Sequence, residues 1–261
     1  MDNFSQLCSV DTEPSRDCKR LACKRCERPV SACWCPWLPE HKLQIETNIL
    51  ILQHPFEERR KVRTARILEL ALADERVLLV RGRKFNAERC PDLMPILTSD
   101  HSYVLFPYRG AIPAHYCCPT PVSQECLHNQ PPRWLVVLDG TWTQARHMLT
   151  GSPLLFAMKR VCLPPNPETG DFTQSEFIVR RQPFPAAVCT VEAVARILDL
   201  WEPTAIPRGK DFYQTELLRP LRRICEIQTA WKSEHAGKKQ LPCQSTEHSN
   251  RSEVEIYPIL E

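Results

Sequence analysis

Glycine is scarce in this chain, with only seven in 261 residues. No G-x-G-x-x-G motif follows any apolar run, which disfavours a dinucleotide site of the Rossmann type. A phosphate-binding G-x-x-x-x-G-K-[ST] loop is absent as well, so ATP or GTP chemistry loses its best support in the sequence. The chain also lacks any apolar run of the roughly 20 residues that a membrane span requires, and we expect no membrane partner.

The first residues lack the basic start and the apolar run of a signal peptide, and they include Asp2, Asp11 and Glu13. We therefore expect an intracellular protein, cytoplasmic or nuclear. Fourteen cysteines in a reducing compartment are not expected to form a disulfide framework, so closely spaced cysteines are interpreted first as metal ligands. The net charge of +3 is small, so a polyanionic partner has to be bound by a local basic patch.

Apolar runs alternate with helical patterns through the middle of the chain. Strands are predicted at 47–52, 77–81, 103–106 and 134–138, and helices at 58–73 and 141–149. This alternation predicts an α/β fold in which a mostly parallel sheet carries helices on both faces. Later patterns predict a strand at 176–180 and helices at 190–201 and 211–231. Polar stretches without periodicity predict flexible tails at 1–19 and 233–261.

Asp139 follows the apolar run that starts at Trp134, and Asp139-Gly140 is a turn signal before the next helix. Ligands of open α/β sheets bind at the carboxyl ends of the strands, so a carboxylate there is a candidate for chemistry. The alternative is that Asp139 only caps the helix. The motif is similar to the strand-end motif of haloacid-dehalogenase phosphatases. Their nucleophilic aspartate, however, would stand at Val137, which argues against that reaction.

The helix at 190–201 begins with Cys189-Thr190-Val191-Glu192, which is nearly a capping box. One interpretation is that these residues only cap the helix. The other is that the free backbone N–H groups at the helix start meet the carboxylate of a bound ligand.

Four cysteines lie within thirteen residues, as Cys23-x2-Cys26-x6-Cys33-x-Cys35. Tetrahedral zinc is held by four thiolates at such spacings, and we predict a structural zinc knuckle over 20–40. The alternative is four thiols without a metal. A second group has no regular ligand spacing and is not predicted to bind a metal; it consists of His115, Cys117, Cys118, Cys126 and His128.

Basic residues surround these cysteines and continue onto the predicted helix at 58–73. Near the cysteines, Lys24, Arg25 and Arg28 lie close to Trp34 and Trp37, a combination of cations and stacking surfaces that suits RNA. On the helix, Arg59, Arg63 and Arg66 are spaced to share one face. Both groups are predicted to bind RNA, the alternative being that they are only solvated.

Together these residues resemble the DTW-domain family, the tRNA-uridine aminocarboxypropyltransferases. The resemblance covers roughly 20–232. Beyond the cysteine knuckle it rests on five motifs, which are Gln53-His54-Pro55, Thr64-Ala65-Arg66, Leu105-Phe106-Pro107, Asp139-Gly140-Thr141-Trp142 and Thr190-Val191-Glu192-Ala193. It implies a SPOUT-like fold with a trefoil knot, a catalytic domain over 41–232, and S-adenosylmethionine bound in the knotted loops.

By resemblance, the loops after Phe106 and Leu138 and the start of the helix at Thr190 form the cofactor pocket. The expected cofactor contacts are Leu105, Pro107, Leu138, Thr141, Trp142, Thr190 and Glu192. Cys189 stands where the family is expected to prefer serine, which puts a hydrogen bond from that position to the cofactor in doubt.

The resemblance also implies the reaction. The 3-amino-3-carboxypropyl group of S-adenosylmethionine passes to N3 of an unpaired tRNA uridine, with Asp139 either as the base at N3 or as the anchor of the cofactor's ammonium group. Arg146, His147, Arg180 and Arg181 are available for phosphates, and Arg146 is predicted to bind RNA. Two alternatives remain open, a SPOUT-type RNA methyltransferase and a non-catalytic zinc-knuckle RNA-binding protein.

Overall fold

A six-stranded, entirely parallel sheet forms the centre of the computed structural model, which describes residues 21–117, 133–165, 171, 174–180, 183, 187–202, 209 and 211–235. The strands are β1 (Asn48–Gln53), β2 (Val77–Arg81), β3 (Ser102–Leu105), β4 (Ile112–Pro113), β5 (Trp134–Asp139) and β6 (Lys159–Cys162). Their order across the sheet is β2-β1-β5-β3-β6-β4. The predicted α/β class and parallel sheet are therefore confirmed.

The sheet is buried on both faces, as expected for parallel strands whose neighbours are helices. All six residues of β1 are buried. In β1 and β5, successive side chains enter different cores: Ile51 and Val137 belong to one apolar cluster, and Leu52 and Leu138 to the other. The continuous apolar runs thus reflect burial on both faces.

Seven helices are described. They are α1 (Pro55–Glu58), α2 (Ala65–Ala71), α3 (Met94–Leu97), α4 (Trp142–Thr150), α5 (Pro153–Ala157), α6 (Thr190–Trp201) and α7 (Phe212–His235). The core on one face contains α2, α6 and α7, and it also includes Cys26 and Trp34. The core on the other face contains α3, α4 and α5. None of the helices in the described ranges is long and apolar enough to cross a membrane.

The helix predicted at 58–73 is confirmed only in its second part, as α2, because residues 59–64 separate α1 from α2. The physical reason is that the carbonyls of this stretch are used elsewhere. Arg28 donates to the carbonyl oxygen of Lys61 at 2.8 Å, and Arg180 donates to that of Val62 at 2.7 Å. Since Arg59 and Arg63 lie in this stretch and only Arg66 lies on α2, the predicted common helix face does not exist.

The predicted strand at 176–180 is wrong as well. This stretch consists of bends and turns, and the N–H of Glu176 is bonded to the Glu192 side chain at 2.6 Å instead of to a neighbouring strand. The sequence analysis also missed β4 and β6, which are two and four residues long. Pro113 has no N–H to donate. It lies in β4 at the edge of the sheet, where a missing hydrogen bond to a neighbouring strand costs least.

The end of the chain differs from the prediction in one respect. Helix α7 continues to His235, so residues 233–235 are helical although they were predicted to be part of the tail. The rest of that tail, and the predicted tail at 1–19, lie outside the described residues. The trefoil knot stays a prediction, because the connections at 118–132 and 166–170 also lie outside them.

Candidate active site and metal centre

Asp139 is the last residue of β5 and pairs in register with Gln53, the last residue of β1. Its side chain is buried, and both carboxylate oxygens accept hydrogen bonds. Gln53 Nε2 donates to Oδ2 at 2.9 Å, and Thr190 Oγ1, from the start of α6, donates to Oδ1 at 2.7 Å. Both donors are neutral, and no cation among the described residues forms an ion pair with Asp139. The carboxylate is thus oriented by two neutral donors.

The turn after Asp139 brings α4 close to β1. Thr141 caps α4, and its Oγ1 accepts from the N–H of Gln144, whose side chain in turn accepts from the N–H of Thr141. A Cβ at Gly140 would lie 3.2 Å from Gln144 Cβ and 3.4 Å from His54 Cβ. Glycine therefore allows this close approach. The alternative for Asp139, helix capping, is wrong, because Thr141 is the capping residue.

An apolar and aromatic surface adjoins Asp139 at the ends of β3 and β5. Leu105 and Leu138 are buried, each with about 8% of its surface exposed, and Pro107 is exposed. The rings of Phe106 and Trp142 lie 5.5 Å apart. The structure thus brings the expected cofactor residues of these two loops to the same edge of the sheet.

Glu192 is completely buried on α6, and its carboxylate joins two segments of the chain. It accepts from the N–H of Cys189 at 2.7 Å, which closes the start of the helix. It also accepts from Ser175 Oγ at 2.7 Å and from the N–H of Glu176 at 2.6 Å. Burial and the nearby Glu192 raise the pKa of the Cys189 thiol well above its usual value. A cofactor contact by Glu192 stays a prediction.

Replacing Glu192 by alanine is expected to destabilise the fold by about 3 kcal/mol or more, because three donors lose their buried acceptor. Urea unfolding measures this loss. The matched control is Glu226→Ala, because Glu226 is 63% exposed and forms an ion pair with Arg223, one helical turn away. Equal effects of the two substitutions would contradict the structural role of Glu192.

A second buried carboxylate, Glu57, was missed by the sequence analysis. It is 2% exposed and pairs with two cations, Arg60 Nε at 2.7 Å and Arg180 Nη1 at 3.2 Å. Burial raises the pKa of Glu57, and the negative charge of Asp139 adds to this rise, while the positive charges of Arg180 and Arg60 oppose it. The signal available in the sequence was its position on the helix that directly follows Gln53-His54-Pro55.

The four clustered cysteines converge on one point. All four sulfurs lie within 4.8 Å of one another, and the Cys23–Cys35 and Cys26–Cys33 sulfurs are each 3.7 Å apart. Zinc–sulfur bonds of about 2.3 Å in a tetrahedron imply sulfurs about 3.8 Å apart, so the cluster fits zinc. Hydrogen bonds from the backbone N–H groups of Cys26 and Arg25 lower the pKa of the Cys23 thiol to about 6, whereas burial raises the pKa of the Cys33 and Cys35 thiols.

Of the second histidine and cysteine group, two residues, His115 and Cys117, lie within the described part of the chain. Cys118, Cys126 and His128 lie outside the described residues. Within the described part of the chain, the cluster around Cys23 is the one arrangement of this kind.

Three of the arginines predicted to bind RNA attach the knuckle to the rest of the protein. Arg28 donates to the Lys61 carbonyl, Arg66 Nη2 donates to the Arg25 carbonyl at 2.9 Å, and Arg63 forms an ion pair with Glu27. A cleft of about 210 Å³ remains between the knuckle and residues 59–64. It is lined by Cys26, Glu27, Arg28, Trp34, Glu58, Arg60, Lys61, Arg63 and Arg66.

The other predicted RNA contacts lie on the surface. Lys24, Arg25, Arg59 and Arg146 are all exposed. Trp34 is only 2% exposed and packs in the core, so its predicted use as a stacking surface is wrong. The guanidinium of Arg223 lies over the ring of Trp37, 4.6 Å from its centre.

Comparison with known proteins agrees with this arrangement of motifs. The DTW domain matches residues 20–229. A protein of Drosophila melanogaster named tRNA-uridine aminocarboxypropyltransferase 2 is 32% identical over 87% of this chain and 82% of its own length. The protein of that name from Macaca fascicularis is 31% identical over 87% of this chain and 69% of its own length.

A plant relative extends the comparison. The protein named tRNA-uridine aminocarboxypropyltransferase A from Arabidopsis thaliana is 30% identical over 85% of this chain and 86% of its own length. No solved structure matches. The match to the domain and the similarity to these relatives both extend over most of the chain, which therefore belongs to the DTW-domain family.

Proposed function

We propose that this protein is a tRNA-uridine aminocarboxypropyltransferase. It transfers the 3-amino-3-carboxypropyl group of S-adenosylmethionine to N3 of an unpaired tRNA uridine. The observation that carries the proposal is the buried Asp139 carboxylate at the carboxyl edge of the sheet, held by two neutral donors. Membership of the DTW-domain family and the names of the relatives support the reaction class.

The residues around Asp139 fit S-adenosylmethionine. A buried carboxylate attracts a sulfonium and an ammonium group, and the Phe106–Trp142 pair offers an apolar surface for the adenosine. When bound, S-adenosylmethionine supplies an electrophilic carbon next to a sulfonium leaving group. The proposed contacts are those expected from the resemblance, namely Leu105, Pro107, Leu138, Thr141, Trp142, Thr190 and Glu192.

Asp139 is proposed in one of two roles. As a base, it accepts the N3 proton while the bond from N3 to the aminocarboxypropyl carbon forms and the carbon–sulfur bond breaks, releasing methylthioadenosine. As an anchor, it holds the ammonium group and so fixes which carbon faces N3. Because N3 lies on the Watson–Crick edge, the uridine must be unpaired and turned inward, where Trp142 provides a stacking surface.

We propose that the tRNA backbone follows the basic surface beside the knuckle, and that the knuckle holds a structural zinc ion. The exposed cations Lys24, Arg25 and Arg59 then contact phosphates, as does Arg146 on α4. Arg28, Arg63 and Arg66 contact RNA through the cleft that they line while they hold the knuckle in place. A tRNA substrate and a reduced thiolate cluster both favour an intracellular location, cytoplasmic or nuclear.

Mass spectrometry of nucleosides tests the proposed function. Unmodified tRNA is incubated with the purified protein and S-adenosylmethionine, and the expected product is a uridine heavier by one aminocarboxypropyl group. A methylated nucleoside would instead identify an RNA methyltransferase. No change over a complete tRNA pool, with tRNA binding insensitive to S-adenosylmethionine, would identify a non-catalytic RNA-binding protein.

A further inference from the structure

Arg180 is held in one orientation by three parts of the chain. Its Nη1 forms an ion pair with Glu57 Oε2 on α1 at 3.2 Å, and its Nη2 donates to the Val62 carbonyl at 2.7 Å. The guanidinium carbon also lies 5.9 Å from the centre of the Phe177 ring. These contacts with described residues use two of the five N–H groups of the guanidinium, whose side chain is 31% exposed. A ligand can therefore reach an arginine that is already oriented.

Two connections link Arg180 to the surroundings of Asp139. The first is Glu57, which pairs with Arg180 and lies on α1, four residues after the Gln53 that donates to Asp139. The second is Glu192, which ties Ser175, in the same segment as Arg180, to the start of α6. The first residue of α6, Thr190, bonds to Asp139. Arg180 is thus joined, through Glu57 and through the start of α6, to the edge of the sheet where Asp139 ends β5.

The two cations that pair with Glu57 differ in their surroundings. Arg60, the other cation that pairs with Glu57, lines the cleft beside the knuckle, whereas Arg180 does not line it. Asp139 is suited to the ammonium group of an α-amino acid, but it repels the carboxylate. Arg180 has N–H groups that its contacts with Glu57 and Val62 do not use, and the planar fork of a guanidinium matches a carboxylate with two hydrogen bonds.

We propose that Arg180 binds the carboxylate of the aminocarboxypropyl group of the donor, and that Glu57 is a positioning residue that orients the Arg180 guanidinium. This assignment rests on the proposed function, because it takes S-adenosylmethionine as the donor. The ammonium group of the bound donor then has an acidic partner, and its carboxylate has Arg180. These two contacts fix the orientation of the aminocarboxypropyl group that is transferred.

Calorimetric titration with two ligands tests the assignment. S-adenosylmethionine carries the amino acid, and methylthioadenosine lacks it. For Arg180→Ala we expect the dissociation constant of S-adenosylmethionine to rise about 10- to 100-fold and that of methylthioadenosine to stay unchanged. For Arg180→Lys, which keeps the charge without the fork, we expect a smaller rise. The matched control is Arg222→Ala. It removes an arginine of α7 that pairs with Glu176, a residue in the same segment as Arg180, and it should change neither dissociation constant.

The Glu57→Gln variant separates positioning from general structural damage. It removes the charge that orients Arg180 but keeps the size of the side chain, so we expect weaker binding of S-adenosylmethionine with methylthioadenosine unaffected. Equal weakening of both ligands would overturn the positioning role. Unchanged binding of S-adenosylmethionine by Arg180→Ala, with weaker tRNA binding, would assign Arg180 to an RNA phosphate and overturn the proposal. If the wild-type protein bound neither ligand, the proposed function would fail as well.

Discussion

Replacing Asp139 by alanine is expected to lower the rate of uridine modification by about 100- to 10,000-fold, the range in which general bases contribute. The substitution removes a charge that no described cation neutralises and leaves the Gln53 and Thr190 donors without their acceptor. The measurement is the initial rate of formation of the modified nucleoside at saturating tRNA. Unchanged turnover would remove Asp139 from the mechanism.

The Asp139→Asn variant distinguishes the two roles of the carboxylate, because asparagine keeps nearly the same shape without the charge. If Asp139 is the base, S-adenosylmethionine should bind to the variant with normal affinity while kcat falls. If Asp139 is the ammonium anchor, the affinity should fall together with the rate. Thermal unfolding of both variants is the control for damage to the fold, and Thr190→Val, which removes one of the two donors but keeps the carboxylate, should cause a smaller loss of rate.

Replacing Cys26 by serine is expected to release the metal from the knuckle. Structural zinc sites bind with apparent free energies of about 10–16 kcal/mol, and that energy folds the peptide around the metal. Cys26 is buried in the same core as Trp34, so loss of the site should detach the knuckle from the 59–64 segment. Since RNA is proposed to follow this surface, we expect the affinity for tRNA to fall about tenfold or more.

Elemental analysis of the purified protein measures the metal directly, with about one zinc ion per chain expected in the wild type and none in Cys26→Ser. The affinity for tRNA is measured at several salt concentrations, because losing phosphate contacts should also flatten the salt dependence. The control is Cys90→Ser, which removes a partly buried free thiol outside the cluster and should keep both the zinc and the affinity. Retained zinc with normal tRNA binding in Cys26→Ser would contradict the assignment.

The sequence predicts those parts of the fold that depend on residues close together in the chain. The strand ending at Asp139 follows from an apolar run and a turn signal, and the knuckle follows from cysteine spacing alone. The break at 59–64 has distant causes, because Arg28 and Arg180 are 33 and 118 residues away from the carbonyls that they bind. Arg180 itself was a general candidate for phosphates, and only its pairing with Glu57 indicates a more specific role.

Residues 61 and 62 are neighbours whose carbonyls accept from opposite sides, one from Arg28 of the knuckle and the other from Arg180 beside Asp139. These carbonyls belong to consecutive peptide units, so a displacement of this short segment alters both contacts at once. If tRNA shifts this segment when it binds, the contact of Arg180 changes with it. Linkage then requires that the factor by which tRNA changes the affinity for S-adenosylmethionine equals the factor by which S-adenosylmethionine changes the affinity for tRNA.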